Sequence, residues 1–331
     1  MKEISVGILG IGSYVPEKII TNFDLEKTID TSDQWIAERT GIRERHVVAE
    51  GQATSDLATK AAERALIDAG ISGGEIDLII VGTVTPDMQF PSVACLVQNN
   101  IKANHAAAFD LTAVCSGFVY GLATGSAFIK TGTYKKVLVI GAEALSTITD
   151  WSDRNTAILF GDGAGAVVLG ETEPGTGILG IDLGADGNGG NLLRVPAGGS
   201  RLPATAETIS QRLHYTQMDG NEVFKFAIKV MGETVNKALE TARLTAKDIT
   251  CLVPHQANMR IIQSAAKRLG LPMDKVIVNV DKYGNTSAAS IPLALDEGVK
   301  SGRIKNGDVI ALVGFGGGLT WGATIIKWFK S

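Results

Sequence analysis

The sequence predicts an α/β protein made of two similar halves, each a sheet of buried strands covered by helices. Three observations lead there. A helix-then-strand unit recurs at a shift of 173 positions, the apolar runs Leu78–Val81 and Val137–Ile140 are continuous rather than alternating, and 39 glycines accompany only 6% aromatic residues. A run without alternation marks a strand buried on both faces, so helices must lie on both sides of each sheet. Abundant glycine suits tight turns and close backbone approaches.

Taken in order, Asp56 to Ala69 has helical spacing of apolar residues, and Leu78–Val81 follows as the first buried strand. Phe109-Asp110-Leu111 is strand-like and runs into small residues that continue as a helix through Ile129. Val137–Ile140 and Ala166–Leu169 are further strands. The polar stretch Glu171-Thr172-Glu173-Pro174-Gly175 then breaks the pattern, giving halves of residues 1–174 and 175–331. In the second half, Ala238-Leu239, Ala242, Leu244 and Asp248-Ile249 repeat Ala65-Leu66, Ala69, Ile71 and Glu75-Ile76, on a helix expected over Val230 to Ala242. Ile249 to Val253 is a strand, a helix starts near Met259, and Ile310–Gly314 repeats Val137–Gly141.

A chain of 331 residues with 45% hydrophobic and 20% charged residues is globular, not disordered. Its net charge of −4 offers no general attraction for nucleic acid. Cys95, Cys115 and Cys251 lack C-x-x-C spacing, so neither a disulfide framework nor a zinc site is indicated, and a reduced, cytoplasmic setting is expected. The N-terminus does not read as a secretory signal, and no uncharged apolar run is long enough to span a bilayer, so no membrane partner is expected.

Three polar residues stand where strands give way to helices. Cys115 occupies the corner after Phe109-Asp110-Leu111, where unpaired N–H groups and the helix dipole favour a thiolate and can hold an oxyanion. His255 follows the strand ending at Val253, and Asn285 opens the small-residue segment Asn285-Thr286-Ser287-Ala288. The shift of 173 maps Thr112–Cys115 onto Asn285–Ala288, so in a pseudo-twofold fold the two corners would face each other. Each residue also has a plain structural use: cysteine as a small hydrophobe, histidine as a hydrogen-bonded core residue, asparagine as a cap. For Cys95 and Cys251, inside apolar runs, burial as a hydrophobe is the expectation.

Several blocks resemble one family over essentially the whole chain: Thr31-Ser32-Asp33-Gln34-Trp35-Ile36, Arg39-Thr40-Gly41-Ile42, Phe160-Gly161-Asp162-Gly163, Gly220-Asn221-Glu222, Pro254-His255-Gln256-Ala257-Asn258, Gly284-Asn285-Thr286-Ser287 and Gly314-Phe315-Gly316-Gly317-Gly318. They resemble the thiolase-like condensing enzymes, specifically the β-ketoacyl-acyl carrier protein synthases III. The resemblance implies a five-layered αβαβα sandwich of two pseudo-twofold-related halves, a homodimer, and decarboxylative condensation of an acyl-CoA primer with malonyl-acyl carrier protein. It implies no cofactor and no metal.

By matching motifs, Cys115 would be the acylated nucleophile and His255 and Asn285 would complete a triad, with the N–H groups of Cys115 and Gly317 as the oxyanion hole. Trp35 and Arg154 would sandwich the adenine of coenzyme A. Thr31 and Arg39 would lie near its phosphates, and Asn221 and Asn258 along the pantetheine. Phe315 would line the inner tunnel, and Phe90 would reach the partner subunit's acyl pocket. Gln256, Arg260, Lys267 and Arg268 would meet the acidic carrier protein.

Rival readings are a cysteine hydrolase, a nucleotide-binding module, and a condensing enzyme of secondary metabolism. Cys115 lacks the C-G-[SA]-C-[WY] setting of papain-like proteases. Gly10-Ile11-Gly12 lacks the third glycine of a dinucleotide fingerprint, and Gly161–Gly165 lacks the Lys-Ser or Lys-Thr of a P-loop. Trp35, Arg154 and Gln256–Arg260 favour the fatty-acid enzyme over its secondary-metabolism neighbours.

Overall fold

A computed structural model describes residues 4–330. The first sheet contains β1 (Val6–Tyr14), β2 (Leu78–Gly82), β3 (Ala107–Leu111), β4 (Val137–Glu143) and β5 (Gly163–Glu171), in the order β1-β5-β4-β2-β3. The second contains β6 (Gly177–Ala185), β7 (Cys251–Pro254), β8 (Val309–Gly316) and β9 (Thr320–Lys327), in the order β6-β9-β8-β7. Reading β6, β9, β8 and β7 for β1, β5, β4 and β2 superposes the two orders. Val276 bridges Leu252 in parallel beside β7, where the first sheet has β3. Residues 172–176 carry the chain from one sheet to the other.

Five layers result. Helices α1 (Asp33–Thr40), α2 (Thr54–Ala69) and α3 (Val93–Asn100) belong to the first half, and α2 and α3 cover the outer face of its sheet. Helix α4 (Gly117–Lys130) and, from the second half, α7 (Ser290–Lys300) lie between the sheets, while α5 (Gly220–Ala242) covers the second sheet and packs against α6 (Met259–Leu269). The central strands β2, β4, β5, β7 and β8 are buried on both faces, as their unbroken apolar runs require. Leu78 and Ile80 join the central core with Phe118, Leu122 and Ile291, while Ile79 and Val81 join the outer core with Leu57 and Ala61. Helix α5 begins ten residues before the expected Val230, because Asp219 caps it by accepting the Glu222 N–H at 3.2 Å. Among the described residues no helix is long and apolar enough to cross a membrane.

The repeat extends to backbone conformation. Val114 has φ +48° and Ser287, at the equivalent place in the second half, has φ +47°. Both lie in the left-handed region that side chains other than glycine rarely adopt, and a β-branched residue least of all. Each corner rests on a glycine of the opposite half's sheet. A Cβ on Gly141 of β4 would stand 2.1 Å from the Ala288 carbonyl oxygen, and one on Gly314 of β8 would stand 3.2 Å from that of Cys115. The two corners approach so closely because those two strand positions carry no side chain.

Cys95 departs from expectation. It is exposed, whereas Cys251 is buried. Cys95 falls on the outer face of α3, whose inner face presents Val93, Ala94 and Val97, so membership of an apolar run did not decide its burial.

Candidate active site

After β3 the chain turns at Val114, passes through a short 3-10 turn at Val114–Ser116 and enters α4 at Gly117. The Ser116 hydroxyl donates to the Ala113 carbonyl at 2.7 Å and that of Thr320 donates to the same oxygen at 2.9 Å, tying the corner to β9. Cys115 is 5% exposed at the meeting point of two cavities. One, of about 170 Å³, also touches His255, Asn285, Phe315 and Gly316. The other, of about 200 Å³, is apolar, with Leu145, Ile148, Phe160 and Val195 in its wall.

His255 follows β7 and is buried. Its N–H donates to the Val313 carbonyl at 2.7 Å, its ring meets Phe315 edge-on at 5.4 Å, and Nδ1 lies 2.6 Å from Ser290 Oγ. Ser290 Oγ accepts the Gln256 N–H at 3.4 Å, so its own proton is available to Nδ1. With Ser290 donating to Nδ1, the proton of the neutral ring lies on Nε2, which is then a donor. Burial pulls the imidazole pKa down to about 3, keeping the ring neutral. Asn285 is held by main-chain bonds on both sides, its N–H to Leu159 O at 2.8 Å and its carbonyl from Gly161 N at 3.0 Å. Its Oδ1 accepts the Ser287 N–H at 2.9 Å, which leaves Nδ2 as the donor of the carboxamide.

The Cys115 thiol corrects an expectation. The helix start was expected to lower its pKa, yet burial, the largest influence, pushes it up to about 12. A hydrogen bond with Ser287 and the Cys115 N–H favour the thiolate, while the Glu143 charge opposes it.

Glu143, at the end of β4, is a buried carboxylate that the sequence did not single out. Its Oε2 accepts from Thr83 Oγ1 at 3.2 Å, Val84 N at 3.1 Å and Thr85 Oγ1 at 2.6 Å, and its Oε1 accepts from Ser287 Oγ at 2.9 Å. No cation accompanies it among the described residues, and burial raises its pKa to about 7. The available signal was an acidic residue closing an otherwise apolar strand. Ser290 gave no signal beyond its place in a small-residue run.

The outer residues divide. Trp35 lies between two guanidinium groups, Arg39 at 4.2 Å and Arg154 at 4.7 Å from the ring centroid, and Arg154 also donates to Asp30 O at 3.1 Å. Arg39 thus sits on the indole rather than apart from it. Thr31 Oγ1 is buried without a hydrogen-bond partner. Asn221 is exposed at the start of α5, beside a cleft with Asn155, Asn191 and Arg194. Asn258 borders the 170 Å³ cavity but caps α6, accepting Arg260 N–H at 2.8 Å and donating to Arg39 O at 3.0 Å, so its amide is engaged within the protein. Arg260, Lys267 and Arg268 are exposed on α6.

Gln256 is 1% exposed and bonds to Pro254 O, Ile277 O and Asn279 N, which corrects its expected place on the carrier-protein surface. It braces the histidine loop. Phe90 is 82% exposed and Phe315 is buried beside His255. Gly316 packs against the Cys115 N–H, where a Cβ would lie 2.6 Å from that nitrogen. Gly317 follows at the end of β8 and packs against the Leu193 carbonyl. Among the described residues no group of three or more His, Cys, Asp or Glu gathers as for a metal ion.

A five-layered duplicated sandwich that brings a cysteine, a histidine and an asparagine to one cavity defines the thiolase-like condensing enzymes. Family models for 3-oxoacyl-[acyl-carrier-protein] synthase III match residues 109–187 and, for its C-terminal part, residues 239–328. The chain is 60% identical to the β-ketoacyl-[acyl-carrier-protein] synthase III of Caldanaerobacter subterraneus subsp. tengcongensis, covering 99% of both chains. It is 58% identical to that of Clostridioides difficile, covering 97% of this chain and 98% of the other. The crystal structure of the Thermus thermophilus synthase III aligns with a TM-score of 0.92 at 50% identity, covering 98% of this chain and 100% of that one. The chain belongs to the β-ketoacyl-[acyl-carrier-protein] synthase III family.

Proposed function

We propose that the protein makes the first carbon–carbon bond of fatty acid synthesis on Cys115, in two half-reactions governed by Cys115, His255 and Asn285. As a member of its family the chain is an acyltransferase that condenses an acyl-CoA with malonyl-acyl carrier protein, yielding β-ketoacyl-acyl carrier protein, coenzyme A and carbon dioxide. In the first half-reaction the Cys115 sulfur attacks the thioester carbonyl, and the oxyanion is met by the N–H groups of Cys115 and Gly317. Coenzyme A leaves and the acyl chain enters the apolar cavity of Leu145, Ile148 and Val195.

In the second, the malonyl thioester carbonyl accepts hydrogen bonds from His255 Nε2 and Asn285 Nδ2. Loss of carbon dioxide places charge on that oxygen, and fixed donors there lower the barrier. The carbanion attacks the acyl carbonyl, and the cysteine sulfur departs. The observation that carries this reading is the convergence on one cavity of a thiol, an imidazole braced at Nδ1 by Ser290, and a carboxamide with Nδ2 free to donate.

Trp35 with Arg154 receives the adenine between flat faces, which requires the arginine to lift from the indole. Thr31 and Arg39 lie toward the phosphates, and Asn221 and Asn258 toward the pantetheine. Arg260, Lys267 and Arg268 form the docking face for the acidic carrier protein. The exposed Phe90 is best used in a homodimer, where it reaches the partner's acyl pocket. Residues 1–174 and 175–331 are the two structural units, and the cytoplasm is the setting.

Intact mass after incubation with competing acetyl-, isobutyryl- and hexanoyl-CoA, beside Cys115→Ser, tests the mechanism. One acyl adduct, removed by malonyl-acyl carrier protein and absent from the variant, is expected. Equal labelling of the folded variant would refute the role of Cys115.

A further inference from the structure

Arg45 is the largest fully buried side chain among the described residues, and its hydrogen-bond partners are carbonyls, not a carboxylate. It lies in the strand Glu44–Val47, opposite Ile20 of the antiparallel strand Lys18–Thr21. Nη1 donates to the Ile20 carbonyl at 3.1 Å, Nη2 donates to the Ile158 carbonyl at 2.8 Å, and Nε is buried without a partner. A guanidinium withdrawn from water, with one N–H unmet and no counter-charge bonded to it, costs stability. An apolar side chain of similar length would fill the space with less penalty, and what the guanidinium alone supplies is its fork of donors.

The second of its carbonyls leads to the site. Ile158 follows the short helix Arg154–Ala157, and the next three residues form the ledge on which Asn285 is mounted. Leu159 accepts the Asn285 N–H at 2.8 Å, Gly161 donates to the Asn285 carbonyl at 3.0 Å, and Phe160 between them bridges Asn285 in parallel. The strand that carries Arg45 also holds the far end of this ledge. His46 O accepts the Asp162 N–H at 2.8 Å, and the Val48 N–H donates to Asp162 Oδ2 at 2.7 Å. Arg45 holds the near end.

Two glycines make room for this arrangement. A Cβ on Gly161 would stand 2.3 Å from the Tyr283 carbonyl oxygen and 3.1 Å from the Arg45 Cβ. One on Gly284 would stand 2.7 Å from the Leu159 carbonyl oxygen and 3.4 Å from the Arg45 Cβ. Gly284, next to Asn285, also has φ +63° and ψ −157°, a conformation all but closed to other residues. The stem of Arg45 is thus wedged against both chain segments that meet at Asn285, and its head is tied to one of them.

We propose that Arg45 is a positioning residue for Asn285: it fixes the 158–161 segment and, through that segment, the direction in which the Asn285 carboxamide donates. Arg45 lines neither cavity at Cys115, so it acts at a remove from the reacting atoms. The Cys115 corner has ties of its own, from Ser116 and Thr320 to the Ala113 carbonyl, and these do not involve Arg45. The two half-reactions should therefore respond differently to its loss. A donor displaced by about 1 Å from the oxygen it serves forfeits much of its effect on the barrier.

The inference rests on Asn285 as a donor in condensation, so the test separates the two. Acylation by acetyl-CoA, followed by intact mass in a single turnover, and steady-state condensation with malonyl-acyl carrier protein are measured in wild type, Arg45→Met, Arg45→Lys, Asn285→Ala and the Arg45→Met, Asn285→Ala double variant. Arg45→Met should acylate within about threefold of wild type, while kcat for condensation falls at least about tenfold and the KM for malonyl-acyl carrier protein changes less than about twofold. Arg45→Lys, which keeps a donor but not the fork, should recover part of the loss. On the Asn285→Ala background, Arg45→Met should cost less than about twofold more, because a residue that acts through another then has nothing to act on. A strut that only stabilised the fold would lower both half-reactions together, or cost the same on either background. Either result overturns the inference, as does condensation within about threefold of wild type in folded Arg45→Met. Should Arg45→Met fail to fold, Arg45→Lys decides by the same criteria, alone and on the Asn285→Ala background. If Asn285→Ala condenses like wild type, the donor role of Asn285 falls and takes the inference with it; if Asn285→Ala is impaired and the two losses add in full, the inference alone falls.

Discussion

Replacing Gly141 by alanine probes the seam between the halves. The added Cβ would stand 2.1 Å from the Ala288 carbonyl oxygen and 2.7 Å from its carbon. A carbon–oxygen contact relaxes near about 3.3 Å, so more than about 1 Å of separation must be made. The obstacle is backbone on both sides, Gly141 within a fully buried strand and Ala288 at 0% exposure, and no side chain can swing away. Overpacking costs about 1–3 kcal/mol when side chains yield, and this contact belongs at the upper end, about 3 kcal/mol. At about 2–4 °C per kcal/mol for large domains, the melting temperature should fall by roughly 6–12 °C. Gly314→Ala is the matched control. Its Cβ would meet the Cys115 carbonyl oxygen at 3.2 Å, a contact that needs only tenths of an ångström, so a loss of about 1 kcal/mol or less is expected. Calorimetry of both variants, with condensation measured beside it, compares them directly. Gly141→Ala should also condense more slowly, because Asn285 moves with Ala288. Equal melting of the two variants, or Gly141→Ala melting within about 2 °C of wild type, would refute the reasoning.

Other expectations are as direct. His255→Ala should still acquire the acyl group but lose condensation by at least about 100-fold, seen as an acyl adduct that persists after malonyl-acyl carrier protein is added. Trp35→Ala should raise the KM for acyl-CoA about tenfold with kcat little changed, since the indole lines neither cavity at Cys115; a fall in kcat alone would contradict this. Glu143 holds its proton up to about 7 in the folded chain, against 4.5 ordinarily, so its contribution to stability is full below 4.5 and declines as pH rises through 7. The decline amounts to roughly 3 kcal/mol. Urea unfolding should therefore show Glu143→Gln gaining on wild type between about pH 5 and 8, and an unchanged difference between them would argue against a buried, raised carboxyl.

Much of the fold was legible because burial on two faces writes itself into unbroken apolar runs such as Leu78–Val81, and duplication writes the pattern twice. Cys115, His255 and Asn285, which the fold brings to one cavity, stood out for a related reason: strand ends interrupt those runs with residues that have little business in a core. What escaped were partnerships made only by folding. Ser287 meets Glu143 across the boundary between halves, and Ser290 meets His255 from a separate helix. Neither serine differs in sequence from its small neighbours. Gln256 and Cys95 failed in opposite directions. A loop glutamine reads as a surface group until three backbone partners are found for it, and a cysteine among apolar residues reads as buried until the helix is turned so that it faces out. Asn258, which the resemblance places along the pantetheine, has its amide oxygen occupied in starting α6.

The two corners have one backbone and different contents. Where the first half presents Cys115, the second presents Ala288, and where the second presents Ser287, the first presents Val114. Duplication thus supplied two copies of a strained turn, and the chain filled them unequally, one with a thiol and the other with groups that face it. Neither half contains a diminished version of the chemistry. Separated as fragments, one would be left with a thiol that has no partner, and the other with partners that have no thiol.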